Sequence, residues 1–142
     1  MNFIRPPKLI KGSSFTDIRG TINFNNSFDA SEIKRIYIIQ NFSVDFLRGW
    51  QGHKIEQRWF SVVQGSFEIY LIAVDNWEVP SRNLKSIMYN LAATTLDVLH
   101  VPPGYVSCIK SKEQDSKLMS MSNYALGEIN DEYKYSIDIS RV

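Results

Sequence analysis

Arg48-Gly-Trp-Gln-Gly-His-Lys-Ile-Glu-Gln-Arg-Trp-Phe-Ser-Val-Val-Gln-Gly65 is the stretch on which the reading of this chain turns. It holds one of the two histidines in the chain, three cationic side chains and two of the three tryptophans. It then runs into an apolar strand pattern. Side chains alternate faces along a strand, so titratable groups leading into a strand of a closed β-structure can point into an enclosed space rather than out to water. Trp59–Gln64 reads as that strand, Gly65-Ser66 as a tight turn, and Phe67–Val74 as the returning arm of a hairpin.

On the N-terminal side, Lys34–Asn41 is β-branched and aromatic between polar flanks, which predicts a strand. Before it, Asp17, Arg19 and Gly20 mark a turn leading into a short strand, Thr21–Phe24, and an edge strand is expected around Lys8–Lys11. On the C-terminal side the pattern predicts strands at Leu84–Leu91, Thr95–Val101, Tyr105–Lys110 and Lys117–Asn123. Ala92-Ala93, Pro102-Pro103-Gly104 and the charged turn Ser111–Ser116 separate them. The tail, Tyr124–Val142, reads as a short helical turn and then an extended segment ending in Tyr135–Ile139. No stretch carries a convincing helical period. Many short strands with regularly spaced turn signals predict an all-β sandwich, jelly roll or barrel.

The 142 residues fit one domain, 1–142, with enough chain to bury a core. Hydrophobic residues at 44% and charged residues at 22% exclude disorder. A net charge of +1 gives no signature for nucleic acid or for an acidic membrane surface. No apolar run is long enough to span a bilayer, and Met1–Lys8 lacks the continuous apolar run of a signal peptide, so a cytoplasmic location is expected. Cys108 is the one cysteine, so no intrachain disulfide forms, and its alternating neighbours predict a buried structural thiol. His100, in Leu-His-Val-Pro-Pro, reads as a partly buried strand residue.

The order of these signals resembles the two-motif layout of the cupin family, which implies a double-stranded β-helix, or jelly roll, around a polar pocket. Metal-binding cupins carry a His-x-His pair, a downstream Glu and a further His three residues after the Gly of Pro-x-Gly. Here those places read Gln51-x-His53, Arg58 near the Glu position, and Ser107. One imidazole cannot hold a transition metal alone and an arginine opposes a cation, so no metal and no other cofactor is expected.

Within the cupins the chain resembles two families, the dTDP-4-dehydrorhamnose 3,5-epimerases and the dTDP-4-keto-6-deoxyglucose 3,4-ketoisomerases. The resembling pieces include Asp17-x-Arg19-Gly20, Gln40-Asn41-x-Ser43, Arg48-Gly49, Arg58 through Gly65, Pro102-Pro103-Gly104 and Asn123-Tyr124, in the right order over most of the chain. The resemblance implies substrate contacts from Arg19, Gln40, Asn41, Arg48, Arg58, Ser107 and Tyr124 to a dTDP-linked or other nucleotide-linked sugar. Guanidiniums suit a diphosphate because they offer it a bidentate donor fork. The ketoisomerase pattern Arg-Gly-x-His-Ala-His-Lys reads Arg48-Gly49-Trp50-Gln51-Gly52-His53-Lys54 here, and Arg35-Ile-Tyr37 resembles their Arg-x-Tyr. This implies a 3,4-ketoisomerase of polysaccharide biosynthesis, with His53 as acid/base, Tyr37 as its polar partner and Gln51 stabilising an enediolate. In the epimerases the Gln51 position carries the catalytic base, and their tyrosine falls at Met119 or Ala125. An amide cannot take a proton from carbon, so the chain departs from epimerase chemistry at that point. An epimerase-like homologue and a sugar-nucleotide-binding cupin without turnover remain the alternatives. The resemblance also implies a homodimer in which residues 1–24 form a strand-exchanging arm and Arg19 serves the partner's pocket.

Overall fold

A computed structural model describes residues 4–140 and 142. The first three residues of the expected arm lie outside the described residues. The strands are β1 (Lys8–Ile10), β2 (Ser13–Asp17), β3 (Gly20–Phe24), β4 (Arg35–Ile39), β5 (Arg48–His53), β6 (Arg58–Gln64), β7 (Ser66–Ala73), β8 (Ile87–Ala92), β9 (Val98–Val101), β10 (Tyr105–Ser111), β11 (Lys117–Ser122) and β12 (Tyr133–Lys134). They form two antiparallel five-stranded sheets, β1-β9-β6-β11-β4 and β12-β5-β10-β7-β8, with β2 and β3 paired apart as a hairpin. The fold is the single-domain jelly roll that the cupin resemblance implies. Among the described residues no helix is long and apolar enough to cross a membrane.

Period-two alternation builds the core. On β6 Phe60 and Val62, on β7 Phe67, Ile69 and Leu71, and on β9 and β11 Leu99 and Leu118 all turn inward between the sheets. The outward sets are covered too. Trp50, Ile72, Val74, Val106 and Cys108 form a layer on the outer face of the second sheet, roofed by Trp77, Leu84, Tyr135 and Ile139. Cys108 is therefore buried as expected, and burial pushes its thiol pKa up to about 11, far from a reactive thiolate.

The structure changes three expectations. Trp59–Gln64 and Phe67–Val74 are not a hairpin, because β6 pairs with β9 and β11 while β7 pairs with β10 and β8. Gly65 is the corner where the chain passes from one sheet to the other; its φ is +73°, and a Cβ there would meet Ser116 Oγ at 2.1 Å. Ser13–Asp17, left without a strand by the composition, is β2, paired residue for residue with β3. The tail has the reverse order: β12 adds to β5, Tyr135 exchanges backbone bonds with Trp50, and a 3₁₀ turn at Ile137–Ile139 follows. Trp50 Nε1 donates to Ile137 O at 3.3 Å, so the tail is sewn to the outer face of β5.

Candidate active site

One end of the inter-sheet space is polar. A hollow of about 250 Å³ opens there, and β4, β5, β6, β9 and β10 supply its walls. On β5 alternation turns Trp50 outward and Gln51 and His53 inward. Gly52 allows β5 to press onto β10, since a Cβ there would stand 2.0 Å from Tyr105 O. The register then sets His53 opposite Tyr105 and Gln51 opposite Ser107. From the facing sheet, β11 carries Tyr37 and Phe60 on either side of Ser120, and Arg35 and Arg58 on either side of Ser122.

His53 is 8% exposed and held at one nitrogen. Its Nδ1 lies 2.9 Å from Asp131 O and 3.3 Å from Glu56 Oε2. Both oxygens only accept, so Nδ1 carries the hydrogen, and Nε2 of the neutral ring keeps its lone pair. Burial first, and the Arg58 guanidinium second, push the His53 pKa below its ordinary value; the Asp131 carbonyl and the Glu56 and Asp131 charges oppose them. The fold thus favours a neutral imidazole whose Nε2 has no hydrogen-bond partner among the described residues, which is the state of a general base.

Asp131 comes from the tail, and it is buried. Its carboxylate accepts backbone N–H groups from Lys54, Ile55 and Glu56 at 3.1, 2.7 and 2.8 Å. That nest folds the loop between β5 and β6. Glu56 Oε1 accepts from Ser122 Oγ at 2.7 Å and from Arg58 at 3.4 Å. Arg58 also donates to Tyr37 Oη at 2.8 Å, and its buried Nε is without a partner among the described residues. The His53, Glu56 and Asp131 ligand atoms lie within 4.8 Å of one another. The Asp131 carboxylate already holds three backbone N–H groups, the nearest histidine nitrogen carries a hydrogen, and the Arg58 guanidinium bonds Glu56, so the donor set does not suit a cation.

Charge in the first hollow is one-sided. Arg35, Arg48 and Arg58 line it, and among the described residues no carboxylate does. Arg35 lies over the Tyr37 ring at 4.7 Å, and Arg48 Nε donates to Asn41 Oδ1 at 3.2 Å. A second hollow, under residues 125–132, shares Arg35, Tyr37, Gln51, His53 and Arg58, so the imidazole stands between the two.

Of the residues singled out in the sequence, His53, Tyr37, Gln51, Arg48, Arg58 and Ser107 meet at the first hollow. Gln51 is tied by its amide to Glu132 Oε1, and Ser107 Oγ donates to Gln51 O at 3.3 Å. Asn41 stands behind Arg48 and donates to Ile109 O at 3.2 Å. Gln40, Tyr124 and Arg19 are not brought there. Gln40 is exposed and reaches Asp115, Tyr124 follows the end of β11, and Arg19 lies exposed in the β2–β3 turn against Asp17. Ala125 borders the second hollow and Met119 packs on the outer face of the first sheet, so neither place supplies an epimerase tyrosine. His100 stacks on Trp59 at 4.9 Å and bonds Gln57, outside the hollow. Trp77 packs on Tyr133 and covers the outer layer. Glu56 and Asp131 escaped the sequence reading. The spacing His53-x-x-Glu56 was a usable signal for the first, whereas nothing local marked the second.

No protein-family model matches the chain, and no curated protein matches it in sequence. Solved structures do. A point mutant of a 3,4-ketoisomerase from Thermoanaerobacterium thermosaccharolyticum, crystallised with TDP-4-keto-6-deoxyglucose, is 22% identical at TM-score 0.68, over 91% of this chain and 87% of that one. A 3,4-ketoisomerase from Helicobacter canadensis is 26% identical at TM-score 0.61, over 86% and 87%. An RmlC epimerase from Mycobacterium tuberculosis is 13% identical at TM-score 0.70, over 90% and 68%. The fold of this chain is the one that these sugar-nucleotide ketoisomerases and epimerases share.

Proposed function

We propose that the protein is an isomerase that shifts a keto group between C4 and C3 of a nucleotide-linked keto-deoxy sugar, with His53 as acid and base. The observation that carries this is the imidazole itself: Nδ1–H is tied down, Nε2 is free, and guanidiniums surround the adjoining hollow. Nε2 takes the C3 proton, the C3–H electrons form the C3=C4 bond, and the C4 carbonyl oxygen becomes the enediolate oxygen. The Gln51 amide and the Arg58 guanidinium are donors for that charge. Tyr37, whose oxygen already accepts from Arg58, retains its own hydrogen for a sugar oxygen. The imidazolium then delivers its proton to C4 while the proton of the C3 hydroxyl passes to the C4 oxygen, so that C3 becomes the ketone and C4 carries the hydroxyl. Oxidation at C3 balances reduction at C4, so the reaction needs no redox cofactor. Arg48, with Ser107 across the hollow, suits the diphosphate and sugar hydroxyls. The fold shared with ketoisomerases crystallised with TDP or a TDP-sugar supports a dTDP-type substrate. This reading places the protein in the cytoplasm, in polysaccharide biosynthesis.

The test is solvent deuterium incorporation into dTDP-4-keto-6-deoxyglucose. Wild type exchanges, and His53→Asn loses at least about a hundredfold. Undiminished exchange in His53→Asn removes that residue from the mechanism. The amide at Gln51, where the ketoisomerases carry a first histidine, favours one rival, a binding module without turnover. Thermal stabilisation by dTDP without exchange from any keto sugar identifies it.

We also propose a homodimer in which the β2–β3 hairpin reaches a second copy. Phe15 and Ile22 sit opposite each other across the hairpin, 56% and 58% exposed, with no core beneath them. The outer face of β4 leaves Ile36 and Ile38 62% and 50% exposed, and β4 is an edge strand of its sheet. A second copy fits because the apolar hairpin and the apolar edge are complementary surfaces of one chain. Arg19 at the hairpin tip is then positioned to serve the partner's hollow.

A further inference from the structure

We propose that Glu56 is the carboxylate partner of His53, standing beside the Nδ1–H that the Asp131 carbonyl accepts and neutralising the imidazolium formed when Nε2 takes a proton. The proposal rests on the reading of His53 as the base. Two carboxylates approach the ring, and their bonding separates their roles. The Asp131 carboxylate is spent on three backbone N–H groups and meets the ring only through its backbone carbonyl. Glu56 is fixed at Oε1 by Ser122 and Arg58, which leaves Oε2 directed at Nδ1 at 3.3 Å. Its side chain is nearly buried, so its charge is little screened. The nest on Asp131 closes the loop and turns Glu56 back onto the residue three places before it.

Glu56 also joins the two walls of the hollow. Arg58 bonds both Glu56 and Tyr37, giving an unbroken series Tyr37–Arg58–Glu56–His53. When His53 takes the proton, the new positive charge meets a carboxylate already in place, and no solvent reorganisation is required. Because it acts through His53, Glu56 is a positioning residue. The charged and titratable groups around the imidazole are Arg48 on its own strand, Glu56 in the loop before β6, Arg58 on β6, Asp131 and Glu132 from the tail, Arg35 and Tyr37 from β4, and Tyr105 from β10.

The experiment is Glu56→Gln, which keeps the shape and removes the charge. The His53 ring is followed by NMR titration without substrate, and exchange is measured against pH. In the variant the His53 titration midpoint falls and the Nδ1–H tautomer loses population. Exchange at pH 7 drops on the order of tenfold, and the acidic limb of its pH profile moves to lower pH. Glu56→Asp recovers part of both. Ser122→Ala, which keeps the charge and releases only its anchor, moves both in the same direction by less, and guards against a folding defect in Glu56→Gln. An unmoved midpoint and an unmoved acidic limb overturn the proposal, even where exchange itself is slower. Because the titration uses no substrate, a lowered midpoint in a protein that exchanges no keto sugar supports the pairing and sinks the isomerase reading instead.

Discussion

Protonating His53 in the folded chain works against two things absent from the unfolded chain, the loss of water around the ring and the Arg58 guanidinium. His100 is held low in the same way, by burial first and by Arg5 second. Both folded values lie below the ordinary 6.5, so the unfolded chain binds more protons just beneath it, and stability falls as pH falls through that window. Urea midpoints are expected to decline from pH 7 to pH 5, before the exposed carboxylates titrate, and His53→Asn to flatten part of that decline. A pH-independent midpoint over this range contradicts the assignment. The residues of this site were half legible. His53, Arg58 and Tyr37 stand in short motifs with chemistry of their own. Asp131 reads as solvent-facing until the tail is seen to fold back, because an acid's burial depends on donors that only the distant β5–β6 loop supplies.

At the scale of elements, that loop is the most exacting part of the site. Three consecutive N–H groups converge on Asp131, and leaving them unpaired costs about 1–3 kcal/mol in all where water reaches part of the way in. Asp131→Ala is expected to lower stability by about 2 kcal/mol in chemical denaturation, with Asp131→Asn in between, since it retains one accepting oxygen. A change below about 0.5 kcal/mol would mean that the loop holds its shape by other means. Strand positions were legible because alternation tells which residues share a face. It is silent on which strand lies alongside, so Gly65 reads as a hairpin tip although it is a corner between sheets. The two tail elements were transposed for a related reason. Tyr133 pairs with Gly52 and Tyr135 with Trp50, partners far away along the chain.

For the whole molecule, the all-β class followed from many short strands and regular turns, and the jelly roll from the order of the motifs. The arm was harder to read. β1 completes this chain's own sheet beside β9, and only the β2–β3 hairpin stands away from the body. The double variant Phe15→Ser/Ile22→Ser is expected to move the protein from dimer to monomer in sedimentation, with the core fold unchanged by circular dichroism. A wild type that sediments as a monomer at all concentrations removes the dimer. With a second copy docked as proposed, β4 has a further thermodynamic consequence. Arg35 and Tyr37 on its inner face alternate with Ile36 and Ile38 on its outer face, so ordering one set orders the other. Ligand in the hollow and a partner on the edge then act as mutual effectors, each raising the other's affinity by the same factor. At a given protein concentration, the supply of nucleotide sugar would set the assembled fraction.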